Sequence, residues 1–333
     1  MARGRNGLLE RIRSETLDVY RASPIRLRED ASQEAEIAHD YQGRLLYELL
    51  QNADDAMAGE RGRADRVSFR VTDTDLWVAN TGRPLTEADI RGLCGIGAGT
   101  KDVASGPRRA SIGHKGMGFK SVLELTSTPA VYSTTWCLEM DAARAREPVT
   151  ELLSSLGQPA PARCPIMRFP WAADTCPEWE EARERGFQTL FRFRFDARVN
   201  AERRARLAED LLDLPVTTIL FLKHLEVLEI HVDIAGHSED IAWALERKHH
   251  PGGEWLPCTG LNQTGPYQVW ISSDRDETWC FLLAHDDQLR IGENRDGLNE
   301  YAWSGVDLAE VTVAALLLGT DNDVLPPERC LSN

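Results

Sequence analysis

The chain has 333 residues, 42% hydrophobic and 27% charged, so it carries enough apolar side chains for a core and wholesale disorder is excluded. Its net charge of -15 argues against whole-surface attraction to nucleic acid or anionic lipid, leaving only a local basic groove, such as one around Lys101, Arg108 and Arg109, for nucleic acid. No apolar run reaches the about 18 residues of a spanning helix, and the first residues lead into a charged helix rather than a signal-peptide core, so a soluble, cytoplasmic protein without membrane partners is predicted.

In chain order, residues 6–22 read as a short amphipathic helix broken before Pro24. A long helix is predicted over 32–58, where Ile37, Tyr41, Leu45, Leu46, Leu49, Leu50, Ala53 and Met57 recur at helical spacing. Val67–Val71 and Leu76–Ala79 read as a strand pair joined by the polar turn at 72–75. Thr86, with Asp89 three residues on, forms a capping-box pattern that opens a short helix to about Leu93. Eight of the chain's 25 glycines then fall between Gly92 and Gly118, a density expected where backbone must approach something closely.

A helix is predicted from Met117 to Leu125, and strands at 130–140, 164–169 and 187–195, with an irregular Trp/Pro/Glu-rich insertion between the last two. A helix near 201–213 ends before Pro215, and strand-like runs follow at Thr218–Leu222 and Val227–Val232. Beyond about 237 short strand patterns alternate with polar loops, and Val311–Leu318 is apolar enough for a buried strand or helix. The seven cysteines, odd in number and without a C-x-x-C pair, read as reduced thiols.

The chemistry concentrates in the first half. Glu48, Asn52 and Asp55 are spaced i, i+4, i+7, so they share one helix face beside an apolar seam. Polar groups there are costly to bury unless something binds them, although a lone E-x-x-x-N is ordinarily a solvated face. Asn80-Thr81-Gly82 follows at a strand end, where a polar side chain beside glycine can bond the edge of a ligand ring. Gly113-His114-Lys115-Gly116-Met117-Gly118-Phe119-Lys120-Ser121 then runs glycines straight into a helix start, where exposed amides and the helix dipole suit a phosphate. Neither a Rossmann βαβ context nor a Walker A pattern accompanies it.

As an ordered set, Glu48-Leu-Leu-Gln-Asn52-Ala-Asp-Asp55-Ala56, Asn80-x-Gly82 and the 113–121 stretch resemble the N box and glycine boxes of the GHKL ATPases, the superfamily of gyrase B, the ninety-kilodalton heat-shock chaperones, MutL and histidine kinases. Within it the wording is most similar to the sacsin-like N-terminal ATP-binding module, with MORC-type ATPases next, over about residues 30–230. The resemblance implies an α/β chain of the Bergerat type, a mixed sheet backed by helices in a two-layer sandwich, binding ATP and Mg²⁺ under a mobile lid. Carried over, Glu48 becomes the general base, Asn52 a Mg²⁺ ligand and Asp55 a support of the adenine pocket. Gly113, Gly116 and Gly118 bring amides to the phosphates, Lys120 adds a cation, and Thr100 and Lys101 belong to the lid. The stretch from Gly186 to Phe193 resembles the family's later G-T strand, with Thr189 reaching the adenine or bonded to backbone. Strand parity independently puts Thr189 on one face with Phe187, Phe191, Phe193 and Phe195. Most of the superfamily carries Asp where this chain has Asn80, a neutral and weaker acceptor.

The expected function is a slow ATPase whose lid closes on nucleotide to drive conformational change or homodimerisation, chaperone-like or MORC-like, with a client protein or further domains of a longer chain as partners. A non-catalytic nucleotide-sensing scaffold is the alternative. A histidine kinase, suggested by His39-Asp40, is disfavoured because only 13 residues separate His39 from Asn52. Two domains are expected, an ATP-binding domain at 1–225 and the start of a transducer-like domain at 226–333, of which 325–333 lacks tail character and reads as a cut within a longer protein. Lys223 and Lys248 are the only lysines after Lys120, and both read as surface residues rather than γ-phosphate sensors.

Overall fold

A computed structural model describes residues 2–40, 43–58, 64–95, 118–249, 256–258, 265–290 and 308–318. They form an α/β chain of two compact units: one runs to Leu214 and takes in Glu229–Asp240, and the other comprises Pro215–Leu228 and the residues from Ile241 onward. No helix among the described residues is long and apolar enough to cross a membrane.

The first unit opens with α1 (Ala2–Ala22) and α2 (Pro24–Asp40), separated only by Ser23. Pro24 starts α2, as proline can at a first helical turn, because the missing N–H would be unsatisfied there anyway. The helix expected over 32–58 is two helices: α2 ends at Asp40, and α3 (Leu45–Met57) starts after Gly43, whose φ of 78° breaks the spiral in a region glycine enters without strain. Tyr41 lies outside the described residues.

β1 (Arg66–Thr72) and β2 (Asp75–Asn80) form the expected antiparallel hairpin. α4 (Glu87–Cys94) begins at the Thr86–Asp89 capping box, with both reciprocal bonds formed. A 3₁₀ helix, Gly118–Glu124, stands where an α-helix was expected. The strand read at 130–140 is a hairpin of β3 (Pro129–Ser133) and β4 (Cys137–Met140). Then come α5 (Ala142–Ser155), β5 (Pro170–Ala172), α6 (Pro177–Glu184), β6 (Thr189–Arg194) and α7 (Ala201–Leu212).

No strand forms at 164–169. The amides of Ile166 and Met167, which a strand would offer to a neighbour, donate instead to the buried Glu34 carboxylate at 2.7 and 2.9 Å. The strand order here is β7-β1-β2-β6-β3-β4-β5, where β7 is Val227–Ile234. One face carries Trp77, Ala79, Ala130, Tyr132 and Leu190 under Trp179 and Ala182 of α6. On the opposite face the rings of Phe191 and Phe193 pack at 5.3 and 6.0 Å from Phe119 of the 3₁₀ helix. Phe187 corrects the parity reading, since it packs with Leu190 and Trp179 on the α6 side, away from Thr189. Gly186 at φ 92° and the bend at Gln188 precede the strand, so alternation begins only at Thr189.

In the second unit Thr218–Leu222 is not a strand. α8 (Val216–Leu220) forms there directly after Pro215, burying Ile219 and Leu220. The β-branched run yields to packing, and the buried Arg247 guanidinium binds the carbonyls of Leu222 and Leu225 that close the segment. Long antiparallel strands follow: β8 (His237–His249), to which the short β9 (Leu256–Cys258) pairs, then β10 (Gly265–Ser273), β11 (Thr278–Arg290) and β12 (Leu308–Leu318), in the order β12-β11-β10-β8. The apolar run at 311–318 is thus a strand, with Leu316 exposed.

Candidate functional site

The site begins with α3. Leu45, Leu46, Leu49, Leu50, Ala53 and Met57 are buried, and Glu48, Asn52, Asp55 and Ala56 lie on the half-buried flank, as the i, i+4, i+7 spacing requires. Asp54 is fully buried on the apolar side, a carboxylate that periodicity alone gave no reason to single out.

Gly82 locks the far end of this helix to the sheet. An added Cβ at Gly82 would lie 2.6 Å from both the carbonyl carbon and the oxygen of Ala56, so only glycine fits. The neighbouring Arg83 amide donates to the same Ala56 carbonyl at 2.8 Å. The glycine of Asn80-x-Gly82 is therefore required by packing, whatever else it does. Its amide also donates to Asn80 Oδ1 at 3.2 Å, and one lone pair of that oxygen remains for a second donor.

Asn80 stands opposite Thr189 in the β2–β6 register, and Thr189 is opposite Ser133 in the β6–β3 register. All three are buried to 2% exposure. Ser133, missed by the sequence reading, accepts from the Leu85 amide and donates to the Gln188 carbonyl, each at 3.1 Å. Thr135 holds the other side of Leu85 by donating to its carbonyl at 2.6 Å. The clue available was the Ser-Thr-Thr run at a strand end. Thr189 Oγ1 differs, because it is buried and has no hydrogen-bond partner among the described residues. A buried hydroxyl without a partner is costly.

Gly118 opens the 3₁₀ helix. Phe119 is core, and Lys120 is 1% exposed with its ammonium donating to the Gly95 carbonyl. Burial pulls the Lys120 amine down to about 8, opposed chiefly by Glu34. Burial pushes the Glu34 carboxyl up to about 7, against the pull of the Ile166 and Met167 amides and of Lys120. Beside them Tyr20 donates to Asp30 at 2.9 Å, and Arg168 pairs with Asp30 at 3.1 Å. Thr100, Lys101, Gly113, His114, Lys115, Gly116 and Met117 lie outside the described residues.

The fold thus holds the C-terminal end of α3 against the strand end that carries Asn80, through Gly82 and Ala56, and sets Asn80 opposite Thr189 on neighbouring strands. Comparison with known proteins covers part of this stretch.

Residues 33–150 match the Sacsin domain family.

The matched region contains α3, Asn80, Gly82 and Lys120, and leaves Thr189 outside. The chain is similar to the protein NO VEIN of Arabidopsis thaliana, 32% identical over 101 residues, covering 30% of this chain and 4% of that protein. It is also similar to human sacsin, 37% identical over 109 residues, covering 29% of this chain and 2% of sacsin. The chain therefore spans only a small part of the length of these relatives.

Proposed function

We propose that the sacsin-like region binds ATP with Mg²⁺ at the α3, β2 and β6 site and hydrolyses it slowly, as a GHKL ATPase with a Bergerat fold. The observation that carries this reading is the buried Thr189 hydroxyl, without a partner among the described residues and directly opposite Asn80. An adenine edge offers both a donor and an acceptor to such a pair. The donor also suits the metal: Asn52 presents an amide oxygen on the half-buried helix flank, the ligand chemistry of a hard cation that otherwise keeps waters and phosphate oxygens.

In this reading Asn80 Oδ1 accepts from the adenine amino group with its remaining lone pair, Thr189 bonds the same ring, and Asp55 supports the pocket. Asn52 would hold Mg²⁺, which neutralises phosphate charge when bound. Glu48 orients a water and takes its proton as the water oxygen bonds the γ-phosphorus and the bond to ADP breaks. Lys120 would reach a phosphate only by leaving the Gly95 carbonyl. Nucleotide then drives conformational change or homodimerisation, chaperone-like or MORC-like, and clients or further domains supply the effector step. Thr100, Lys101 and the glycines at 113, 116 and 118 keep their lid and phosphate roles.

The test is ATP binding and turnover with and without Mg²⁺, together with mass in solution with a non-hydrolysable analogue. Saturable Mg²⁺-dependent binding, lost in Asn52→Ala, supports the site. No binding by wild type, or unaltered binding and turnover by Asn52→Ala, overturns it. Binding without turnover favours the nucleotide-sensing scaffold.

A further inference from the structure

A concavity lined by no residue of α3 lies in the first unit. It encloses about 570 Å³ between α2, the turn at 162–166, the start of α5 and the segment 196–203. That volume is in the range of small-molecule sites. One wall is the small-residue stripe Ala31, Ala35 and Ala38 of α2, continued by Ala142, Ala162 and Ile166.

Its charged rim is unbalanced. Arg198 is paired with Asp196, and Arg203 with Glu124 at 2.7 Å, so two of its four arginines are neutralised in place. Arg146 and Arg163 are in no ion pair among the described residues, and Arg146 meets only the Pro161 carbonyl at 3.2 Å. The remaining carboxylate, Glu34, is held at the back of the cleft by the Ile166 and Met167 amides. A concave spot with two guanidinium groups in no ion pair among the described residues offers an anion a site that the chain's net charge of -15 otherwise disfavours. Cys164 is also in the wall, but burial raises its thiol despite Arg146, so it stays protonated and the cleft binds rather than attacks.

We propose that this cleft binds a small organic anion, its carboxylate or phosphate forked by Arg146 and Arg163 and its short apolar body laid on Ala31, Ala35 and Ala38. Guanidinium pairs favour planar or tetrahedral oxyanions in bidentate geometry, and the methyl floor excludes water from the apolar part.

Calorimetric titration of the full chain with phenyl phosphate, benzoate, inorganic phosphate and neutral phenol tests the assignment. Saturable one-site binding of phenyl phosphate or benzoate, weakened by added salt, is expected, with phenol silent and inorganic phosphate at least tenfold weaker. Whichever aromatic anion binds more tightly identifies the head group. Arg146→Ala with Arg163→Ala should weaken it at least tenfold, as should the exposed charge reversal Arg163→Glu. Ala35→Trp, filling the floor, should abolish it. ATP should neither compete nor lose affinity in these variants, which separates failure here from failure of the nucleotide site. No saturable binding at millimolar probe, full competition by ATP, or unchanged affinity in folded Arg163→Glu would each overturn the proposal.

Discussion

Gly82 is pressed against Ala56, so that a single methyl group at position 82 would come within 2.6 Å of the α3 backbone. Helix and strand end are thereby held at one spacing, and the polar flank of α3 inherits its position from it. Gly82→Ala should cost about 1–3 kcal/mol, the usual penalty for overpacking a close contact. Thermal or denaturant unfolding checks this, and a change within error would show that the helix end gives way freely.

Thr189→Val separates a ligand-binding hydroxyl from a structural one. Its Oγ1 has no partner among the described residues, so the isosteric change should leave stability unchanged or raise it by up to about 1 kcal/mol. ATP affinity should fall about tenfold, or about 1.4 kcal/mol. A destabilised variant with unaltered nucleotide affinity would assign the hydroxyl to the fold.

Glu48→Ala and Asn52→Ala should part company kinetically. Loss of a general base lowers turnover roughly 10²–10⁴-fold with little change in nucleotide affinity. Loss of Asn52 should instead remove the Mg²⁺-dependent part of binding. Steady-state turnover and equilibrium titration with and without Mg²⁺ distinguish the two.

Glu34 makes stability fall as pH rises through the mildly acidic range. Its carboxyl, ordinarily at 4.5, is raised to about 7 by burial, so between those values the unfolded chain has released a proton that the folded chain keeps. Stability from this group is therefore complete below about 4.5 and lost as pH passes 7. Lys120, lowered from 10.5 to about 8, acts on the alkaline side with the opposite slope, its penalty easing above about 8. Unfolding midpoints from pH 5 to 7 should decline less steeply in Glu34→Gln than in wild type. The comparison is of slopes, because the Gln amide must also face one of the two backbone N–H donors and so shifts the whole curve down.

Several elements were legible because their causes are local. The β1–β2 hairpin, the Thr86–Asp89 cap and the shared flank of Glu48, Asn52 and Asp55 follow from alternation, a reciprocal side-chain bond and a 3.6-residue period. The errors fall where distant groups intervene. Glu34 captured the 166–167 amides across 132 residues of sequence, and Arg247 bound the Leu222 and Leu225 carbonyls that follow α8. Phe187 changed faces because Gly186 and Gln188 delayed the start of β6. α5 went unread, although Asp141 caps it by accepting from the Ala143 and Arg144 amides.

Read alone, the amino-acid order determined that Glu48, Asn52 and Asp55 share one flank of a helix, since that depends only on spacing along a few turns. Only tertiary structure decided that Thr189 meets Asn80, that Gly82 answers to Ala56, and that Lys120 is spent on Gly95. Those relations join segments with no mutual pattern in sequence, and they exist only once burial has removed water as the competing partner for every polar group involved.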